Sequence, residues 1–392
     1  MSIIFHIDVN SAYLSWTAIE QLKTGSTIDL RLVPAIIGGD QDKRRGVVLA
    51  KSIPAKQYGI QTGEPAVDAF RKCPGLIAAK PDHELYSRYS QKLMEYLRKS
   101  GGIIEQVSVD ECFLDVTRIL QDETQYLALA KELKEGVKKQ FGFTVNVGIS
   151  TNKLLAKMAS DFQKPDLIHT LFKAEIKEKM WPLPISELYM AGKASVDTLK
   201  KLEINTIGDL ALANPQLIEL HLKSHGRKLW EFANGIDDTP VKKVPAKAKG
   251  IGSSTTLPTD VVSFDEAKKV LTEIAGSVSR RLKRSEQKAA NISVEIKYND
   301  FTQGSHQRQL SGYVQEANEI TQIALELFDE KWDRRPIRLL GIRSSKLVDQ
   351  EEPEQLSLFD IKEDLVKNHK LKGVMEELKA KYGKAVLKKG TD

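Results

Sequence analysis

Cysteine is nearly missing from this chain: among 392 residues there are two, Cys73 and Cys112. Their spacing suggests neither a zinc site nor a disulfide framework. No apolar run reaches the length needed to span a bilayer, which argues against a helical membrane protein. The opening stretch, MSIIFHIDVN, has neither the basic n-region nor the small-residue cleavage site of a secretory signal. No fixed-period repeat and no low-complexity tract is present, so a repeat architecture is excluded. The setting expected from these absences is a reducing cytoplasm, with no membrane partner.

What is present is the composition of an ordinary soluble protein with a real core, 41% hydrophobic and 29% charged, long enough for two or three domains. The net charge of +6 is modest. Its distribution says more, because basic residues gather in the C-terminal half, in VKKVPAKAKG, VSRRLKRSEQK and RRPIRLLGIRSSK. A surface that follows a phosphate backbone needs such clustering, although solvated faces would look the same.

The order of apolar patterns predicts a mixed α/β domain with helices covering a sheet. Residues 2–8 read as a buried strand and Ser11 to Lys23 as a helix. Strands are expected at Val33–Ile37 and Gly46–Ala50, and helices over Pro81–Gly101 and Tyr126–Gly142. TVNVGIS is a strand, followed by a helix capped at Ser150 or Thr151. Past Lys164-Pro165 the pattern changes to short helices broken by Pro and Gly, up to residue 240. A lysine-rich linker precedes a second α/β unit of about one hundred residues, read as strand, helix, two strands, helix, strand.

Within this frame IIEQVSVDECFLDV places two carboxylates, Asp110 and Glu111, side by side in a half-buried strand region. Each must be paired, solvated or bound to a metal to avoid a large desolvation penalty. In a continuous strand they would face opposite sides; at a tight turn between two short strands they could converge, and the turn is the preferred placement. Asp8 ends the first apolar strand, as a helix N-cap or as a third carboxylate of one site. A strand-end Asp with an Asp-Glu pair about a hundred residues later suits two magnesium ions, which take hard oxygen ligands and substrate phosphates.

FHIDVNSAYLSW, VSVDECFLDV, GISTNKLLAKMASDFQKPD, INTIGDLA, LWEFANGIDDTPV and GIGSSTTLP occur in this order over residues 1–350. Together they resemble the Y-family translesion DNA polymerases, most closely the DinB branch, with the DVN of the UmuC branch. The resemblance implies a right-hand α/β multidomain fold: palm 1–18 and 76–166, fingers 19–75, and a helix-hairpin-helix thumb 167–240. It implies further a basic linker 241–250, a βαββαβ little finger 251–350, a clamp-binding peptide 351–360 and a tail 361–392 without assigned role.

The resemblance assigns Asp8, Asp110 and Glu111 to catalysis, as ligands of two Mg²⁺ ions with the Val9 carbonyl. Tyr13 matches the steric gate, which excludes a 2′-hydroxyl by clash. Lys164 of KPD matches the lysine that reaches the triphosphate. In the fingers, where the family commonly has Tyr and, three residues on, Arg, this chain has Ile53 and Lys56. Ile53 donates no hydrogen bond, and Lys56 offers charge without a bidentate fork. Gly192 and Lys193 belong to the hairpin expected to hold DNA phosphates. Gly252, Ser253, Ser254, Thr255, Arg338 and Arg343 of the second unit are the other expected DNA contacts, positioning without reading sequence.

QLSLFD has no local core to join and resembles the peptide by which bacterial polymerases dock on the sliding β-clamp, with Gln355, Leu356, Leu358 and Phe359 as anchors. The function so implied is low-fidelity, template-directed primer extension opposite damaged template by a monomer that takes primer-template DNA and dNTP. A non-catalytic DNA- and clamp-binding accessory of the replisome is the alternative. A two-metal nuclease or nucleotide cyclase would leave Tyr13, Lys164 and QLSLFD without a role.

Overall fold

Alternating and continuous apolar runs set the first sheet, helical periodicity the elements packed on it. The computed structural model describes residues 2–38, 46–120, 125–244 and 247–351. The chain divides into two units, residues 1–246 and 247–392.

In the first unit β1 (Ile4–Val9) leads into α1 (Ala12–Lys23). A small lobe follows: β2 (Ala35–Gly38), β3 (Val48–Lys51), α2 (Ile53–Gln57), α3 (Ala66–Lys72) and β4 (Ile77–Ala79). The chain returns through α4 (His83–Arg98), β5 (Ile103–Gln106), β6 (Glu111–Asp115), α5 (Tyr126–Phe141), β7 (Val145–Ser150), α6 (Lys153–Asp161) and β8 (Ile168–Thr170). The main sheet has the order β5-β6-β1-β7-β8, and the small lobe forms a three-stranded sheet β3-β2-β4. Short 3₁₀ and π turns then lead to α7 (Lys193–Lys201), α8 (Ile207–Leu212) and α9 (Pro215–Ala233).

Period-2 alternation gives the main sheet two different faces. Phe5, Ile7, Val9, Cys112, Leu114, Val145, Val147 and Ile149 join Trp16, Tyr86, Leu93 and Val137 in one buried cluster, so α1, α4 and α5 cover that side. On the other side His6, Asp8 and Glu111 alternate with them, and α6 lies across. Gly148 makes that crossing possible. A Cβ there would overlap the Ala156 carbonyl and the Ser160 amide of α6, so only glycine lets the helix backbone rest on the strand.

The second unit is β9 (Gly250–Val261), α10 (Phe264–Arg284), β10 (Gln287–Tyr298), β11 (Gln303–Val314), α11 (Ala317–Lys331) and β12 (Ile337–Asp349), which is the predicted βαββαβ order. Its sheet runs β11-β10-β12-β9, all neighbours antiparallel. Leu271, Ile274, Val278, Leu327 and Phe328 of both helices pack on Ile292, Ile296, Leu340 and Ile342, and among the described residues no element covers the opposite face.

The structure departs from the sequence reading in local ways. The cap of α6 is Asn152, whose side chain accepts from the Leu155 amide, not Ser150 or Thr151. Ser150 is the last residue of β7, and its hydroxyl donates to the Leu171 carbonyl. Ile168–Thr170, placed by sequence among broken helices, adds a fifth strand parallel to β7. Three residues carry no readable period, and only the neighbouring strand makes them a strand. The segment Gln355–Phe359 lies outside the described residues.

Gly148→Ala should destabilise the first unit by about 1–3 kcal/mol, because backbone atoms, not flexible side-chain tips, stand in the way. A thermal melt that matched the parent's would show that α6 can lift off the sheet freely.

Candidate active site

Asp8 sits near the end of β1, where the register pairs it with Glu111 of β6. Directly opposite residues on an antiparallel pair share a face. Asp110 occupies the turn between β5 and β6, and its carbonyl accepts the Val9 amide at 3.0 Å. The turn side chain is therefore not bound to strand alternation. Asp8 is not the cap of α1; Ser11 is, with φ 47°.

Asp8 and Asp110 border one cavity of about 370 Å³, together with Val9, Tyr13, Lys51 and Lys164. Glu111 does not border it. Its Oε2 is 3.1 Å from Lys157 Nζ and 3.3 Å from the Nε2 of buried His6. His6 Nε2 is off the line of a hydrogen bond, so Lys157 is the firmer of the two partners. The His6 contact first, and then Lys157, lower the Glu111 carboxyl to about 2 in spite of burial. Among the described residues no three His, Cys, Asp or Glu side chains converge on one point as a ready metal cage.

Asp110 is different. Among the described residues its side-chain hydrogen-bond partner is the Ser108 hydroxyl, which donates at 2.5 Å. Burial, and then the charges of Asp8 and Glu111, push its pKa up. Asp8 accepts from Lys164, whose ammonium also lies 2.8 Å from Asp161. The site thus keeps one under-neutralised carboxylate facing a cavity. Hard oxygen donors with unmet negative charge are the chemistry that fits a divalent cation such as magnesium.

Tyr13, on the first turn of α1, faces the same cavity. Its ring stacks on Tyr86 at 4.2 Å and 8°, with His83 edge-on at 6.4 Å. Burial and the nearby Asp110 charge raise its pKa. Tyr86 is 1% exposed, so Tyr13 has firm backing.

A second cleft of about 590 Å³ adjoins the first; Val9, Ser11, Lys51 and Lys164 border both. Arg31, Ile53 and Lys56 complete its charged and apolar rim. Ile53 is 52% exposed at the start of α2. Burial and the Lys56 ammonium depress the Lys51 pKa. Cations crowded in this way favour an anionic ligand.

Sequence reading singled out neither Lys51 and Arg31 nor Lys157 and Asp161. The last two were legible as a helical face, since 157, 161 and 164 follow i, i+4, i+7 spacing on KMASDFQK. Beyond Lys164, Asp166 is tied to Lys134 at 2.7 Å and Lys138 at 2.8 Å, and its amide donates to Asn10 Oδ1.

The expected DNA contacts are spread out. Gly192 caps α7, and exposed Lys193 pairs with Asp197 at 2.9 Å. On the bare sheet of the second unit, Gln307, Ser293, Arg343 and Gly252 form one cross-strand row and Ser305, Glu295, Gly341 and Ser254 the next. They line a groove of about 590 Å³, which Ser253 also borders. Alternation turns the Ser253 and Thr255 side chains to the helix-covered side, because strand neighbours face opposite ways. Arg338 stands apart, over the Phe301 ring at 4.7 Å.

Comparison with known proteins agrees with this architecture. Residues 7–161 match the impB/mucB/samB family, and residues 248–358 match the impB/mucB/samB family C-terminal domain. "DNA polymerase IV" of Clostridium acetobutylicum is 45% identical over 98% of this chain and 96% of its own length. "DNA polymerase IV 1" of Bacillus subtilis is 36% identical over 99% and 92%. The solved "Y-family DNA polymerase chimera Dbh-Dpo4(243-245)-Dbh" shares the fold, with TM-score 0.79 and 21% identity over 88% of this chain and 99% of that one. The chain therefore belongs to the Y family of DNA polymerases, the impB/mucB/samB family of the profiles. Within it the chain falls in the DinB, or DNA polymerase IV, branch: a DNA-directed DNA polymerase of the translesion class.

Asp166→Asn should lower stability near neutral pH by about 1 kcal/mol, as expected for an ion pair that is mostly shielded on the Lys134 side and open to solvent on the Lys138 side. Burial raises the Asp166 pKa, but Lys134 and Lys138 more than offset this and leave it lowered. The carboxylate's contribution is therefore full above the unfolded value of 3.8 and lost as pH falls through the folded one. The gap between the two proteins' melts should begin to close as pH falls below about 4 and vanish only below the lowered folded value; a gap independent of pH would refute the pairing.

Proposed function

We propose that this polymerase extends a DNA primer opposite damaged template, with low fidelity, by in-line transfer of a nucleotidyl group. One observation carries the reading: Asp8, Asp110, Tyr13 and Lys164 border a single cavity, which opens into a cation-lined cleft. Residues 1–18 and 76–166 serve as palm, 19–75 as fingers, 167–240 as thumb and 251–350 as little finger.

Asp8, Asp110 and the Val9 carbonyl, with Glu111 beside them, are the groups that would hold two Mg²⁺. The chemistry that two such ions would supply when bound is Lewis-acid activation of a hydroxyl and neutralisation of phosphate charge. Lys164, Lys51, Lys56 and Arg31 take the triphosphate as point charges and one guanidinium around the cleft. Arg31 is itself braced, since Asp29 accepts from its Nε at 2.9 Å and from its Nη2 at 2.7 Å. Ile53 supplies an apolar surface, where no hydrogen bond orients the incoming nucleotide. Tyr13 excludes a 2′-hydroxyl, and the stacked Tyr86 keeps it from yielding.

Gly192 and Lys193 of the thumb, and the groove with Gly252, Ser254 and Arg343, grip the sugar-phosphate backbone without selecting sequence. Gln355, Leu356, Leu358 and Phe359 dock the protein, as a cytoplasmic monomer, on the sliding β-clamp.

Asp110→Ala should reduce primer extension by a factor on the order of 10³ while primer-template affinity stays within about twofold. Extension at the parent rate would remove Asp110 from the catalytic group. Tyr13→Ala should admit ribonucleotides, read as incorporation of rNTP against dNTP in single-turnover assays. Continued exclusion would place the filter elsewhere.

A further inference from the structure

One face of α6 and the loop after it carry an unbroken line of ion pairs. Lys157 Nζ lies 3.1 Å from Glu111 Oε2 and 3.3 Å from Asp161 Oδ2. Lys164 Nζ lies 2.8 Å from Asp161 Oδ1 and bonds Asp8 as well. Among the described residues Asp161 is the one that pairs with both lysines, and it borders neither of the two cavities. It therefore acts on the site only through the ammonium groups it holds.

Lys164 has two acidic partners of different kinds. Asp8 belongs to the carboxylate group that faces the cavity, and Asp161 does not. A triphosphate that draws the Lys164 ammonium toward itself takes it from Asp8. A lysine has four rotatable carbons, and an ammonium with no remaining anchor would have to be ordered by the nucleotide itself. The bond to Asp161 can persist through the exchange, because its acceptor sits three residues back, on the last residue of α6, and is no part of the cavity wall.

We propose that Asp161 is a positioning residue for the incoming nucleotide: it keeps Lys164 beside the phosphates while the ammonium passes from Asp8 to the triphosphate. The inference rests on the reading of Lys164 as a triphosphate ligand. The Asp161 carboxylate is held ionised for this role: burial raises its pKa, yet Lys164 and Lys157 lower it further.

The test is a double-mutant cycle on nucleotide binding, with the full chain on primer-template DNA whose primer ends in a dideoxynucleotide, so that no chemistry occurs. Asp161→Asn should raise the dNTP Kd about threefold to tenfold. Primer-template affinity should stay within about twofold and the variant should remain folded at the assay temperature, which separates positioning from a structural role. Asp161→Glu, which keeps the charge, should stay within about twofold of the parent and serves if the asparagine variant misfolds. In a Lys164→Ala background Asp161→Asn should add nothing. A dNTP Kd that is unchanged or tightened by Asp161→Asn overturns the proposal, as does an equal loss with and without Lys164. If Lys164→Ala itself leaves the Kd unchanged, the triphosphate reading of Lys164 falls first and the proposal with it.

Discussion

Like charges held close together are the constraint on which this site depends. Asp8, Asp110 and Glu111 come near one another, without converging on one point, because β1 and β6 pair in a register that places Asp8 opposite Glu111, with Asp110 in the adjoining turn. Such crowding is unfavourable, and the protein answers it unevenly. Lys164 and Lys157 pair with two of the carboxylates, while among the described residues no cation bonds Asp110, which accepts from the Ser108 hydroxyl. The residual repulsion falls on Asp110, whose pKa burial and the neighbouring Asp8 and Glu111 charges raise.

That unevenness requires α6 to lie tight against the sheet. The helix supplies both lysines' positions, directly for Lys157 and through the following loop for Lys164. Its contact with β7 is set by the absence of a side chain at Gly148. Under α6, buried His6 donates to or accepts from the Ser160 hydroxyl at 2.8 Å, and Asn146 donates to the Ser160 and Gln163 carbonyls. Polar atoms between helix and strand are thus mostly satisfied, which fixes the helix in one rotation as well as one height.

Much of the fold could be read from the chain because long amphipathic helices and strongly alternating strands declare their own period. α4, α5, α10 and the four strands of the second unit are of this kind. Elements that depend on a neighbour were not legible: β8, the one-turn α2, and α3 inside the small lobe. The same distinction holds at the site. Asp8 and Asp110 stood out by their strand-end and turn positions. Lys157 and Asp161 were equally present in the sequence, but their meaning depends on which side of α6 meets the sheet. Lys51 and Arg31 could not be linked to Lys164 by spacing, since a sheet and a loop bring them there.

The stack of Tyr13 on Tyr86 has a consequence for how sugars would be told apart. Tyr86 is embedded in the same cluster as Trp16, Leu93 and Met94, so displacing Tyr13 means deforming packed interior. Discrimination of that type is mechanical. It draws on the stiffness of the core rather than on any attraction between charges, and so it would hold equally in dilute buffer and in strong brine.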